Sequence, residues 1–207
     1  MKRVLQFGGI ISGLVLVAFG AVAIYMGVDG KSTVHSNLKA EAIVGTPDMT
    51  PKGIAAEAKA AHLPANISLP TCTVAGQTVD TGGKARCFAE YMRIHALEAT
   101  GGKPYAQMPR YATDNGQGTN DPAQATKDAN GQPVDNAARN IWINETALTT
   151  ALNSAYMAEQ LATFGIVVGV ALLLSGVGFI IVALGGPLAL AWRRESKPES
   201  PGVPVTA

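Results

Sequence analysis

Hydrophobic and polar positions are distributed very unevenly along this chain, in two uncharged apolar blocks near the ends with a polar stretch between them. The first block, Phe7 to Val28, reads FGGIISGLVLVAFGAVAIYMGV without a charge in 22 residues. At about 1.5 Å per residue such a helix spans roughly 33 Å, which matches a hydrocarbon core of about 30 Å. The second block opens at Phe164 with FGIVVGVALLLSGVGFIIVAL and stays uncharged to Trp192. A domain of this size has no interior long enough to hide either helix on all sides, so both read as membrane spans. Gly185-Gly186-Pro187 predicts a kink or an end near residue 187, and Trp192 sits where an aromatic interfacial anchor is expected.

Between the blocks the pattern turns amphipathic. Asp29 to Ala42 is a polar stalk, helical or extended. Thr50 followed by Pro51 is an N-cap with proline at the first helical position, and the IAAEAKAAHL run places Ile54, Ala58 and Ala61 on one face before Pro64. Residues 67 to 79, broken at Pro70 and Gly76, favour extended or turn structure. Lys84 to Thr100 predicts a helix with an apolar stripe of Phe88, Met92, Ala96 and Ala99, an Arg86–Glu90 pair opposite, and Gly101-Gly102 as its stop. Residues 103–136 read as a long polar loop with turns at Asn115-Gly116 and Asn130-Gly131. After Asn144 the pattern is helical again, with Leu148, Leu152, Ala155 and Glu159 on one face and no breaker before the second span; Trp142 is a core candidate.

The fold class is therefore mainly α: two transmembrane helices flanking a small, mostly helical domain with long polar loops. The boundaries read as an N-terminal segment 1–6, a first span 7–28, the intervening domain 29–163, a second span 164–192 and a disordered Pro-rich tail 193–207. Charge sets the orientation. Lys2 and Arg3 precede the first span and Arg193, Arg194 and Lys197 follow the second, so both termini belong in the cytoplasm and the middle outside the cytoplasmic membrane. Basic Lys2-Arg3 followed by an apolar run and Ala21-Val22-Ala23 also resembles a cleavable secretory signal, a reading that leaves the middle exported all the same.

Composition adds exclusions. Charged residues are 15% of the chain and the net charge is +1, so nothing draws it to nucleic acid. The middle, Asp29 to Thr163, holds 11 Lys/Arg against 13 Asp/Glu. Neither span contains Asp, Glu, Lys, Arg or His, which argues against an ion path or proton relay. Both contain glycines at helical spacing: Gly13, Gly20 and Gly27 seven apart, and Gly169 and Gly176 likewise. Such stripes let helix backbones approach closely, either between the two spans or against a membrane-protein partner or second copy. Cys72 and Cys87 both fall in the exported part and are too far apart for a CxxC redox pair, so a structural disulfide is expected. His35, His62 and His95 show no metal-ligand spacing, and the Asp/Asn-rich loops depart from the calcium-loop pattern. No catalytic motif is present, and no catalytic residue, metal site or cofactor is assigned.

The segments GGIISGLVLVAFGAVAIYMGV, IVGTPDMTPKGIAAEAKAAHLPANI, CFAEYMRIHALEATGG and RNIWINETALTTALNSAYMAEQ resemble a family of small two-span actinobacterial membrane proteins. Some of its members bear the label aromatic ring-opening dioxygenase, small-subunit type. That activity needs a non-haem iron held by two histidines and a carboxylate. No such set maps onto this chain, so the resemblance transfers no site. The expected function is an accessory or scaffold protein presenting an extracytoplasmic domain. A dioxygenase-like subunit and a ligand sensor are the alternatives, the sensor disfavoured by a cytoplasmic tail too short for an output domain.

Overall fold

The computed structural model describes residues 2–185; the expected kink at Pro187, the Trp192 anchor and the 193–207 tail lie outside the described residues. Among the described residues four helices follow in order: α1 (Lys2–Ala40), α2 (Pro51–Ala60), α3 (Gly82–Ala99) and α4 (Ala138–Gly185), with a 3-10 turn at Tyr105–Gln107. Extended pairing among the described residues is confined to isolated bridges. The described residues divide into two compact units, one of residues 2–29 with 161–185, the other Gly30–Gln160. Both α1 and α4 contribute to each.

In the first unit the apolar parts of α1 and α4 pair antiparallel. The buried positions there, among the described residues, are five glycines: Gly13, Gly20, Gly27, Gly169 and Gly176. Large side chains point outward, Phe7, Phe19, Leu174 and Phe164 among them. The two helices are long and apolar enough to cross a membrane, and just 11% of the most apolar window of each is buried. A helix from the core of a soluble protein shows the opposite distribution.

Among the described residues, the ordinary hydrophobic core lies in the second unit. Leu38 and Val34 come to it from α1, Met49, Val74 and Val79 from the connecting segments, Ile54 and Ala58 from α2, and Trp142 and Leu152 from α4. Helix α3 lies at the centre. It is capped by Thr81, whose hydroxyl accepts from the Lys84 amide, and it ends at Gly101 and Gly102 with φ of 62° and 74°. The expected single stripe on α3 is too narrow. Tyr91, Ile94 and Leu97 are buried along with Ala85, Phe88, Ala89 and Ala96, whereas Ala99 is exposed. This helix is covered on more than one side, so its buried surface exceeds the usual apolar stripe.

Other expectations hold with shifted ends. Thr50 caps α2, with Pro51 in its first turn. The polar stalk is helical to Ala40, because Leu38 is buried in the core and Nδ1 of His35 donates to the Asp80 carbonyl at 2.8 Å. Helix α4 starts at Ala138, seven residues before the expected region, and runs unbroken for 48 residues. Trp142 is the reason for the early start: it is 3% exposed, and its indole N–H donates to the Thr100 hydroxyl at 3.2 Å and the Lys103 carbonyl at 3.0 Å. The 41–49 and 74–79 segments lie side by side, with Val79 N–H bonded to the Ile43 carbonyl and Gly76 N–H to that of Gly45. A side chain at Gly45 would strike the Val74 carbonyl, which fixes glycine there.

Candidate functional site

Three features bear on function: the glycine seam, the cysteine pair and a cluster around His95. The seam is built from small residues every seventh position on both helices. A Cβ placed on Gly20 would lie 2.7 Å from the Gly169 carbonyl oxygen, and one on Gly169 would lie 2.7 Å from that of Gly20. Gly13 and Gly176 face each other in the same way, at 2.7 and 2.6 Å, and Gly27 meets the Ala162 carbonyl at 2.6 Å. Backbone therefore touches backbone at three successive levels. In lipid, where no hydrophobic effect draws helices together, such close contact is a principal source of association. Gly13, Gly20, Gly169 and Gly176 are thus brought together within one chain.

Cys72 and Cys87 sit at disulfide distance, with Cα atoms 6.1 Å apart. The link joins the extended 67–79 segment to the first turns of α3. Close by, the Tyr91 hydroxyl donates to the Cys72 carbonyl at 2.7 Å, and burial pushes the Tyr91 phenol above its ordinary pKa, with Glu90 and Asp48 adding to the shift. The N-terminus of α3 is held from a third direction. Gly82 packs against Ala155 and Tyr156 of α4 and donates its N–H to the Glu159 carboxylate, which lies 4.0 Å from Lys31. A carboxylate at that position complements the positive end of the helix dipole. The expected α4 face of Leu148, Leu152, Ala155 and Glu159 is the one that meets the domain.

The three histidines are on separate elements and no two come together. His35 is used in the bond to Asp80, and His62 follows α2 with φ of 53°. His95 is different. Its Nε2 lies 3.2 Å from an Asp48 oxygen, and its Nδ1 lies 3.6 Å from Glu57 and 3.9 Å from Glu98. Asp48 comes from the loop before α2, Glu57 from α2, and His95 and Glu98 from neighbouring turns of α3. The four side chains are partly exposed, between 28% and 44%. The Thr46 hydroxyl holds the Asp48 carboxyl below the usual carboxylate range, and the His95 ring adds to the effect. Spacing along the chain could not reveal this cluster, because its members are separated by 9 and 38 positions. The sole local hint is the His95/Glu98 pair at i,i+3.

The 103–136 loop is ordered by its own turns. Gly116 and Gly131 take φ of 73° and 75° in the two Asn-Gly turns, and the Thr126 hydroxyl donates to Asp114 at 2.7 Å. Bridges from Tyr111 to Thr119 and to Asp135 gather its extended stretches into one surface patch. Ring-opening chemistry of the kind implied by the resemblance needs two histidines on one metal, and the His95 cluster holds one. No protein-family model, curated protein or solved structure matches the chain.

Proposed function

We propose that this is a membrane-anchored accessory or scaffold protein, with both termini in the cytoplasm and the 29–163 domain displayed outside the cytoplasmic membrane. The observation that carries this reading is the inverted burial of the first unit, where glycines are inside and large apolar side chains outside. That distribution suits a hairpin solvated by lipid. The basic residues Lys2, Arg3, Arg193, Arg194 and Lys197 support the orientation, and a cysteine pair at disulfide distance fits an oxidising compartment. The polar 103–136 patch is where the domain meets a protein partner, since long loops held on a fixed scaffold are common recognition surfaces. The resemblance to two-span actinobacterial membrane proteins agrees with this assignment and adds no chemistry to it.

Labelling of intact cells with a membrane-impermeant maleimide tests the topology. A cysteine introduced as Asn115→Cys should react in intact cells, and one introduced as Ser196→Cys only after permeabilisation. The reverse pattern sinks the orientation. Cross-linking from Asn115→Cys with a heterobifunctional reagent should then trap a discrete membrane or envelope protein; a uniform smear in repeated preparations refutes the partner-binding role.

A further inference from the structure

The charges around His95 do not balance. Asp48, Glu57 and Glu98 surround one imidazole, and no lysine or arginine among the described residues pairs with any of the three. Even a fully protonated ring would leave a net negative charge there. One oxygen from Asp48, one from Glu57 and one ring nitrogen of His95 all lie within 4.8 Å of one another. These donors come from three separate segments, with Asp48 against Nε2 of the ring and Glu57 against Nδ1. Glu98 stands one turn along α3 as a further oxygen. From this geometry we propose that Asp48, Glu57 and His95 form a binding site for a divalent first-row transition-metal ion, with zinc as the best fit.

Donor chemistry favours that class. Calcium and magnesium take oxygen ligands, and a site with an imidazole nitrogen leans to zinc and its neighbours. Zinc bonds of about 2.0–2.2 Å in tetrahedral geometry set donors roughly 3.3–3.6 Å apart. Asp48 lies 3.2 Å from Nε2 and Glu57 3.6 Å from Nδ1, so one ring nitrogen takes the ion and the carboxylate on the other side has to swing toward it. That carboxylate closes from at most 4.8 Å by up to about 1.5 Å, which a rotamer change at a partly exposed position supplies. The ion would tie the α2 end of the domain to the C-terminal half of α3, while Cys72–Cys87 ties the N-terminal half. The site belongs to the folded domain and does not depend on which side of the membrane that domain occupies.

The test is titration of the full chain in detergent micelles, purified without a histidine tag, with zinc chloride by calorimetry. One equivalent should bind saturably. His95→Gln, Asp48→Asn and Glu57→Gln should each weaken binding by more than the roughly 10–100-fold that loss of a group supporting a metal ligand costs. Cobalt(II) should give visible d–d absorption that His95→Gln abolishes, and calcium should not displace zinc. Absence of saturable uptake, or uptake unchanged across the three variants, overturns the site. Calcium binding as tight as zinc overturns the participation of the imidazole. If His95→Gln does not fold, the two carboxylate variants decide the matter, because a staple from the α2 side requires both.

Discussion

Two alanine substitutions of glycine in the apolar helices should have opposite effects, and the structure says which is which. At Gly178 an added Cβ meets nothing within 4 Å, whereas at Gly20 it lies 2.7 Å from the Gly169 carbonyl and 2.8 Å from the Leu173 nitrogen. Ordinary contact for a Cβ begins at 3.4 Å, so Gly20→Ala forces the helices apart locally by about 0.7 Å, the difference between 3.4 and 2.7 Å. Backbone cannot rotate away as a side-chain tip can. Overpacking of this kind typically costs about 1–3 kcal/mol, and a gap of 0.5–1 Å opened at adjoining contacts forfeits roughly a quarter to a half of their dispersion energy. Both substitutions gain up to about 1 kcal/mol of helix propensity. Gly178→Ala should therefore be neutral or stabilising, and Gly20→Ala less stable than it by about 1–3 kcal/mol. Subtracting one variant from the other removes the propensity term and leaves the packing cost. Steric trapping in micelles measures the equilibrium between the closed and separated hairpin. Equal stabilities for the two variants would refute the glycine seam as the packing surface.

Replacing Cys72 and Cys87 together by serine should lower the stability of the domain by about 3 kcal/mol, the chain-entropy value for a loop of this length, measured by guanidinium unfolding under non-reducing conditions. Thr100→Val removes one of two acceptors from the Trp142 indole and should cost about 1 kcal/mol; a shift in Trp142 fluorescence should accompany it, and an unchanged spectrum counts against that hydrogen bond. The raised pKa of Tyr91 means that the folded chain holds the phenolic proton more tightly than the unfolded chain does. Its contribution is present below about pH 10 and declines as the pH rises above that value through the folded pKa. Tyr91→Phe should lose about 1 kcal/mol at neutral pH, with the loss of the bond to Cys72, and should show a shallower alkaline decline; parallel pH profiles would contradict this.

Features that depend on local chemistry could be read along the chain. Uncharged runs marked the spans, Thr50-Pro51 marked the start of α2, and the seven-residue repeat of Gly13 and Gly20 matched that of Gly169 and Gly176. What stayed hidden depends on tertiary partners. The 29–40 stretch is polar, and burial of Leu38 together with the His35 bond to Asp80 accounts for its helicity there. Residues 138–144 show no clear amphipathic pattern, yet Trp142 buried against Thr100 accompanies their inclusion in α4. Tyr91, Ile94 and Leu97 escaped a one-stripe reading because α3 is covered on more than one side. His95 seemed isolated because its partners arrive from α2 and the loop before it.

The core of the second unit is closed at its far ends: Leu38 enters near its beginning, Trp142 and Leu152 near its end. During synthesis the helix that completes this core is therefore the last part of the domain to leave the ribosome. With the topology proposed above, more than a hundred residues cross the membrane before Trp142 can reach Thr100. Until then the core around α3 lacks the Trp142 and Leu152 side chains that α4 supplies, and the incomplete domain exposes apolar surface. Truncations that stop short of residue 142 should consequently be degraded outside the cytoplasm, even with the first span intact.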